Sequence, residues 1–204
     1  MSFTFGVFDV FTYAATGSLY VSCLAYALDR LGWIRVEQFS DSNTTVLLLG
    51  LLLVSYLLGH MAYWLGEVID HVIPGRRDGY ARARERFILQ LPTDRGRRLA
   101  NLPPHLLLGG IEIHAREASQ EVTRLRAVGL ALRNASPAML LAAIIAVLEV
   151  FASERPLVAG SATVLFLVAA WAVAQRGRAL RAWAVMKTLE LAYWIPEIDA
   201  ETDG

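Results

Sequence analysis

Two stretches, residues 46–58 and 157–173, contain no charged side chain at all. A backbone inside such a stretch must satisfy its own polar groups, and extended through uncharged neighbours each stretch is long enough to cross a hydrocarbon core of about 30 Å as a helix. Two further runs, 10–28 and 137–152, bring the count to four, the last carrying only Glu149. Of the 204 residues, 55% are hydrophobic, more than a soluble domain of this size usually carries. Four spans use roughly 80 residues at about 20 each, which leaves too little chain for a large second core. The expected fold is therefore all-α: an integral membrane four-helix bundle with cytosolic helical extensions.

Arginine sets the orientation. It is concentrated from Arg76 to Arg133 and again from Arg176 to Arg181, whereas only Arg30, Arg35 and Arg155 fall on the other side of the spans. The excess of positive charge on cytoplasmic loops places both termini and the long middle segment in the cytoplasm. The chain then divides into 1–74, with spans one and two and a cytosolic extension, 75–136, a cytosolic basic helical segment, and 137–204. The last part holds spans three and four, a C-terminal cytosolic helix and an acidic tail. Cys23 is the only cysteine, so an intrachain disulfide is excluded.

Local patterns refine this outline. Helical spacing in span two persists to about Ile73, before Pro74-Gly75. Tyr80, Ala83, Phe87 and Leu91 share one face and Arg82 and Arg86 another, which predicts a short basic amphipathic helix ended by Pro92. A turn is expected over 102–105 and a helix over 111–133, with Ser136-Pro137 marking a fresh start. Ser153 to Pro156 makes a tight turn between spans three and four, and Ala182, Met186, Leu189 and Tyr193 continue span four as a helix up to Pro196.

Each span carries small residues on which a neighbour can pack closely, as lipid-embedded helices require. They are Ala15, Ser18, Ser22 and Ala25; Ser55, Gly59, Ala62 and Gly66; Ala138, Ala142 and Ala146; and Ala169, Ala170 and Ala174. The stripes suit a bundle within one chain and a homo-oligomer equally.

The sharpest polar feature is His60, Trp64, Glu67 and His71, spaced 4-3-4 on one face of span two. Ionisable groups inside a membrane are costly and point to function. Glu67 and His71 could hold a metal ion together, with His60 as a further candidate and His105, Glu112 or His114 folding back to complete the set. Ordinary solvation or ion pairing of Glu67 and His71 beyond the membrane surface is the weightier reading. Glu149 raises the same question in span three.

Arg76, Arg77, Arg82, Arg84, Arg86, Arg95, Arg97 and Arg98 form a dense basic segment. Guanidinium groups bind phosphate, but attraction to anionic lipid headgroups explains the cluster with less, at roughly 1 kcal/mol per residue near a membrane surface. Nucleic acid is the poorer match. No glycine-rich phosphate loop and no Ser/His/Asp or Cys/His constellation is evident, so no catalytic residue and no cofactor are expected.

The opening Phe8-Asp9-Val10-Phe11-Thr12-Tyr13-Ala14-Ala15-Thr16-Gly17, with Tyr56-Leu57-Leu58-Gly59-His60, resembles a group of small, largely uncharacterised four-span bacterial membrane proteins. Their pattern is similar to Phe-Asp-x-Phe-x-Tyr-x-x-Pro-Gly and Tyr-x-x-Gly-His; the likeness covers the first 70 residues, and Thr16 stands where proline is usual. The resemblance implies a bacterial plasma-membrane location and a place in a defence system. The expected function is a non-enzymatic, oligomeric membrane component, an effector or channel-like subunit with a cytosolic protein partner. The alternatives are a transporter or ion-pathway subunit using His60 and Glu149, and a membrane metalloenzyme at His60, Glu67 and His71.

Overall fold

The computed structural model describes residues 4–35, 43–72, 79–196 and 198, with side chains described for 12–35, 43–68, 79–196 and 198. The described residues form seven helices and no strand: α1 (Thr4–Arg30), α2 (Thr44–Val72), α3 (Gly79–Gln90), α4 (Asp94–Asn101), α5 (Pro104–His114), α6 (Arg116–Ala152) and α7 (Pro156–Trp194). The chain is all-α, as its apolar runs predict. Among the described residues three helices are long and apolar enough to cross a membrane: α2 over Thr44–Val68, α6 and α7. Side chains of α1, expected as the first of four spans, are described only from Thr12 onward, so three of the four expected spans are supported.

Helix boundaries follow local chemistry and correct several expectations. Pro92 ends α3, because the residue before a proline avoids the helical region. The sequence did not suggest α4. Its start is capped by Thr93, whose hydroxyl accepts from the Gly96 amide at 3.1 Å, and Asp94 in the first turn complements the helix dipole. The turn expected over 102–105 is confined to 102 and 103, since Pro104 sits in the first turn of α5, where its missing N–H costs nothing. Ala115 then breaks the helix expected over 111–133 into the end of α5 and the start of α6. Pro137 does not begin a helix: α6 runs through it.

The chain forms two compact units. The first comprises 1–73 and 130–177, the second 74–129 and 178–204. Their burial patterns differ. In the second unit, Phe87, Leu99, Leu107, Ile111 and Leu189 make an ordinary apolar core, each at most 2% exposed. In the first unit the large aliphatics face outward, including Val46, Leu48, Leu53, Leu157, Val164 and Leu165, while Thr16, Ser55, Asn134 and Ser136 are buried.

Small residues line the contacts of the first unit, though not always the predicted ones. On α2 the stripe Ser55, Gly59, Ala62 and Gly66 is buried. On α6, Ala138 and Ala146 are buried, as are Ala170 and Ala174 on α7. On α1 the buried face is Thr16, Gly17 and Tyr20, whereas Ala15, Ser18 and Ser22 are exposed. Ser18 and Ser22 turn their hydroxyls to their own helix, bonding the carbonyls of Ala15 and Ser18.

Candidate functional site

Helices α1 and α2 touch backbone to backbone. A Cβ added to Gly17 would lie 1.6 Å from the Ser55 carbonyl oxygen, and one added to Gly59 would lie 1.9 Å from that of Tyr13. Only glycine permits this approach. It carries the Tyr13 ring against α2, edge-on to His60 at 5.2 Å between centroids and to Tyr56 at 6.0 Å. His60, Trp64 and Glu67 do share a face, and it is the exposed face of α2. The side chain of His71 lies outside the described residues. Among the described residues no three His, Cys, Asp or Glu side chains gather as a metal site. His105, Glu112 and His114 are exposed side chains of α5 in the second unit.

The buried polar centre of the first unit lies elsewhere, around Pro137. The Pro137 ring removes the N–H that would pair with the Arg133 carbonyl and disturbs the ladder beside it. The Tyr20 hydroxyl docks one residue further on, where it donates to the Asn134 carbonyl at 3.0 Å. One turn along α1, the Cys23 thiol donates to the Ala138 carbonyl at 3.8 Å. Ser136 donates to the Ala170 carbonyl on α7 at 3.4 Å. Side chains of α1 thus hold two α6 carbonyls that flank the proline, and Ser136 ties α6 to α7 beside it.

The burial of Arg133, one of the charges counted as cytoplasmic, is not foreseen in the sequence: it is only 9% exposed. Its guanidinium stacks over the Tyr63 ring at 4.4 Å, donates to the Tyr63 carbonyl at 3.3 Å and donates through Nε to the Asn134 side-chain oxygen at 3.3 Å. Gly66 makes the room: a Cβ there would come within 2.7 Å of that oxygen. The one available signal is Arg133-Asn134 lying directly before the third apolar run with no break in helical spacing.

Glu149 pairs with Arg30 at 2.8 Å, and Arg30 also covers the Ala152 carbonyl at 3.3 Å. The carboxylate raises the Arg30 guanidinium above its ordinary pKa by hydrogen bonding and charge attraction. His60 and Glu149 do not form one site. Their neighbours on α1, Tyr13 and Tyr26, are about 20 Å apart along the helix axis at 1.5 Å per residue.

The basic segment divides by role. Arg76 and Arg77 lie outside the described residues. Arg84 donates to the Asn101 side chain. Arg95 donates to the Ile195 carbonyl at 2.8 Å and stacks on Tyr193 at 5.5 Å. Both hold the second unit together. Arg82, Arg86, Arg97 and Arg98 are exposed.

Comparison with family models, curated proteins and solved structures finds no match to this chain.

Proposed function

We propose that this chain is a four-span protein of a bacterial plasma membrane, acting as a non-enzymatic, oligomeric component, an effector or channel-like subunit with a cytosolic partner. One observation carries the membrane part: the first unit turns large leucines and valines outward while burying Thr16, Ser55, Asn134 and Ser136, whereas the second packs Phe87, Leu99, Leu107, Ile111 and Leu189 into an apolar core. Water would penalise that outward face by roughly 25 cal/mol per Å² of apolar surface; acyl chains do not. Helix α1 serves as the fourth span, joined to α2 through Gly17 and Gly59. Trp33, Trp64 and Trp171, all exposed, suit the headgroup level. The second unit, with Arg82, Arg86, Arg97 and Arg98 on its surface, lies on the cytoplasmic side against anionic headgroups.

The non-enzymatic reading is supported by what the buried polar groups do. Tyr20, Cys23, Ser136 and Arg133 all bond backbone carbonyls of neighbouring helices, which is structural work. The ion-pathway alternative has less support, because Glu149 is held by Arg30 and lies far from His60. The defence role rests on the resemblance of the first 70 residues. The oligomer rests on the α2 face bearing His60 and Trp64, which this chain leaves exposed.

Flotation of the full chain with phosphatidylcholine–phosphatidylglycerol liposomes after alkaline extraction tests the membrane reading; recovery in the soluble fraction ends it. Protease added to intact cells should spare Arg82 to Arg98. Conductance and mass in detergent test the oligomeric channel, and an impermeable monomer refutes that part alone.

A further inference from the structure

A cavity of about 430 Å³ opens within the first unit, walled by α1, α6 and α7. Its size falls in the range of about 300–1,000 Å³ occupied by small-molecule sites. Its depth is apolar, with Ala142 and Ile145 of α6 facing Ala162 and Phe166 of α7. Its charged groups collect where α6 ends and α7 begins, at Glu149 and Arg155 with Ser153 between them, whereas Ser22 and Cys23 of α1 line it with their donors already bonded to the carbonyls of Ser18 and Ala138. Ala142 lies about two turns from Glu149, and Phe166 about three turns from Arg155, at 3.6 residues per turn. The cavity is therefore a slot with one wet end.

Charge selects the occupant. The Glu149 carboxylate is already bonded to Arg30 at 2.8 Å, so that pair adds no net charge to the rim. Arg155 adds a cation, exposed and set in a turn that its own amide fixes by donating to the Ser153 hydroxyl at 3.1 Å. A further helix does not fit. At a diameter of about 10–12 Å, ~one turn of helix would take up the whole volume.

We propose that this cavity binds an amphiphile with a single acyl chain and an anionic head, the chain against Ala142, Ile145 and Phe166 and the head at Arg155. The inference rests on the membrane reading above, which brings acyl chains to the wall of the slot.

Cys23 lines the cavity and is the only cysteine of the chain, so its thiol reports on occupancy. The full chain is placed in phosphatidylcholine nanodiscs, and the rate of Cys23 modification by N-ethylmaleimide is followed with palmitate, lysophosphatidate, hexadecanol or inorganic phosphate. Palmitate or lysophosphatidate should slow modification about fivefold at about four times its Kd, and whichever protects more identifies the head as carboxylate or phosphate. Hexadecanol should protect less, and inorganic phosphate not at all. R155Q, in an exposed turn, should reduce protection by the anionic amphiphiles to the level of hexadecanol. A162W should slow modification by itself and remove any further effect of palmitate.

Equal protection by palmitate and hexadecanol, or none by either anionic amphiphile, overturns the proposal. Flotation of the same preparation separates the two readings. Protein that floats without protection refutes the cavity site alone; protein that does not float refutes the membrane reading and this inference with it.

Discussion

The Tyr20 hydroxyl donates to the Asn134 carbonyl at 3.0 Å, three residues before Pro137, so a side chain of α1 is fastened to the backbone of α6 in the turn that ends at the proline. Tyr20→Phe should destabilise the first unit by about 1 kcal/mol, the usual net worth of such a bond within a bundle. In a Pro137→Ala background, residue 137 regains its amide and its ladder bond to the Arg133 carbonyl, which straightens the turn on which Tyr20 docks. There the same change should cost less, and a double-mutant cycle read by denaturant unfolding in detergent should show coupling of about 0.5 kcal/mol or more. Strict additivity would contradict the assignment.

The crossing of α1 on α2 depends on the absence of two side chains. Gly17→Ala and Gly59→Ala would each drive a Cβ to within 2 Å of a carbonyl oxygen on the other helix, at 1.6 and 1.9 Å. Backbone cannot yield as a side-chain tip does, so each should cost at least the about 1–3 kcal/mol typical of overpacking. Gly50 has nothing within 4 Å of such a Cβ. Gly50→Ala should therefore stabilise α2 by up to about 1 kcal/mol through helix propensity. Thermal unfolding of the three variants in one detergent checks the contrast.

Arg133 is buried by stacking on Tyr63 and by two hydrogen bonds. Arg133→Lys keeps the charge but loses the planar fork and the stack, and should cost about 1–2 kcal/mol. Arg133→Met removes the desolvated charge while filling similar space, so it should cost less than the lysine variant. A lysine variant as stable as the native chain would show that charge alone matters at this position.

The second unit should respond as a water-soluble core does. Phe87 is fully buried and meets Tyr193 edge-on at 6.3 Å, so Phe87→Ala should cost about 3–5 kcal/mol. Thr93→Ala removes the cap of α4 and should cost about 1 kcal/mol. Limited trypsin digestion should show faster cleavage at Arg97 and Arg98 in both variants, with the larger effect for Phe87→Ala.

The helices were legible where one physical rule dominated. Uncharged runs demanded helix over 46–58 and 157–173, and Pro92 ended α3 as expected. The site was less legible. The 4-3-4 spacing puts His60, Trp64 and Glu67 on one face of α2, with the side chain of His71 outside the described residues, but no spacing pointed to the buried polar centre at Tyr20, Arg133 and Asn134. An arginine next to an apolar run reads as an interface charge unless the aromatic ring that will cover it is known, and Tyr63 is 70 residues away.

By itself, the order of residues determined an all-helical chain, its long apolar helices, and the buried stripe Ser55, Gly59, Ala62 and Gly66 on α2. Periodicity suffices for these, because it reports how one helix arranges its own faces. Tertiary structure alone decided that α1 buries Thr16, Gly17 and Tyr20 rather than the alternative stripe, that α6 passes through Pro137, and that a slot remains between α1, α6 and α7. Each of these depends on what a second helix brings to the first: a glycine contact, a hydroxyl for a carbonyl near the proline, or a missing side chain. Such pairings are absent from any single helix's pattern.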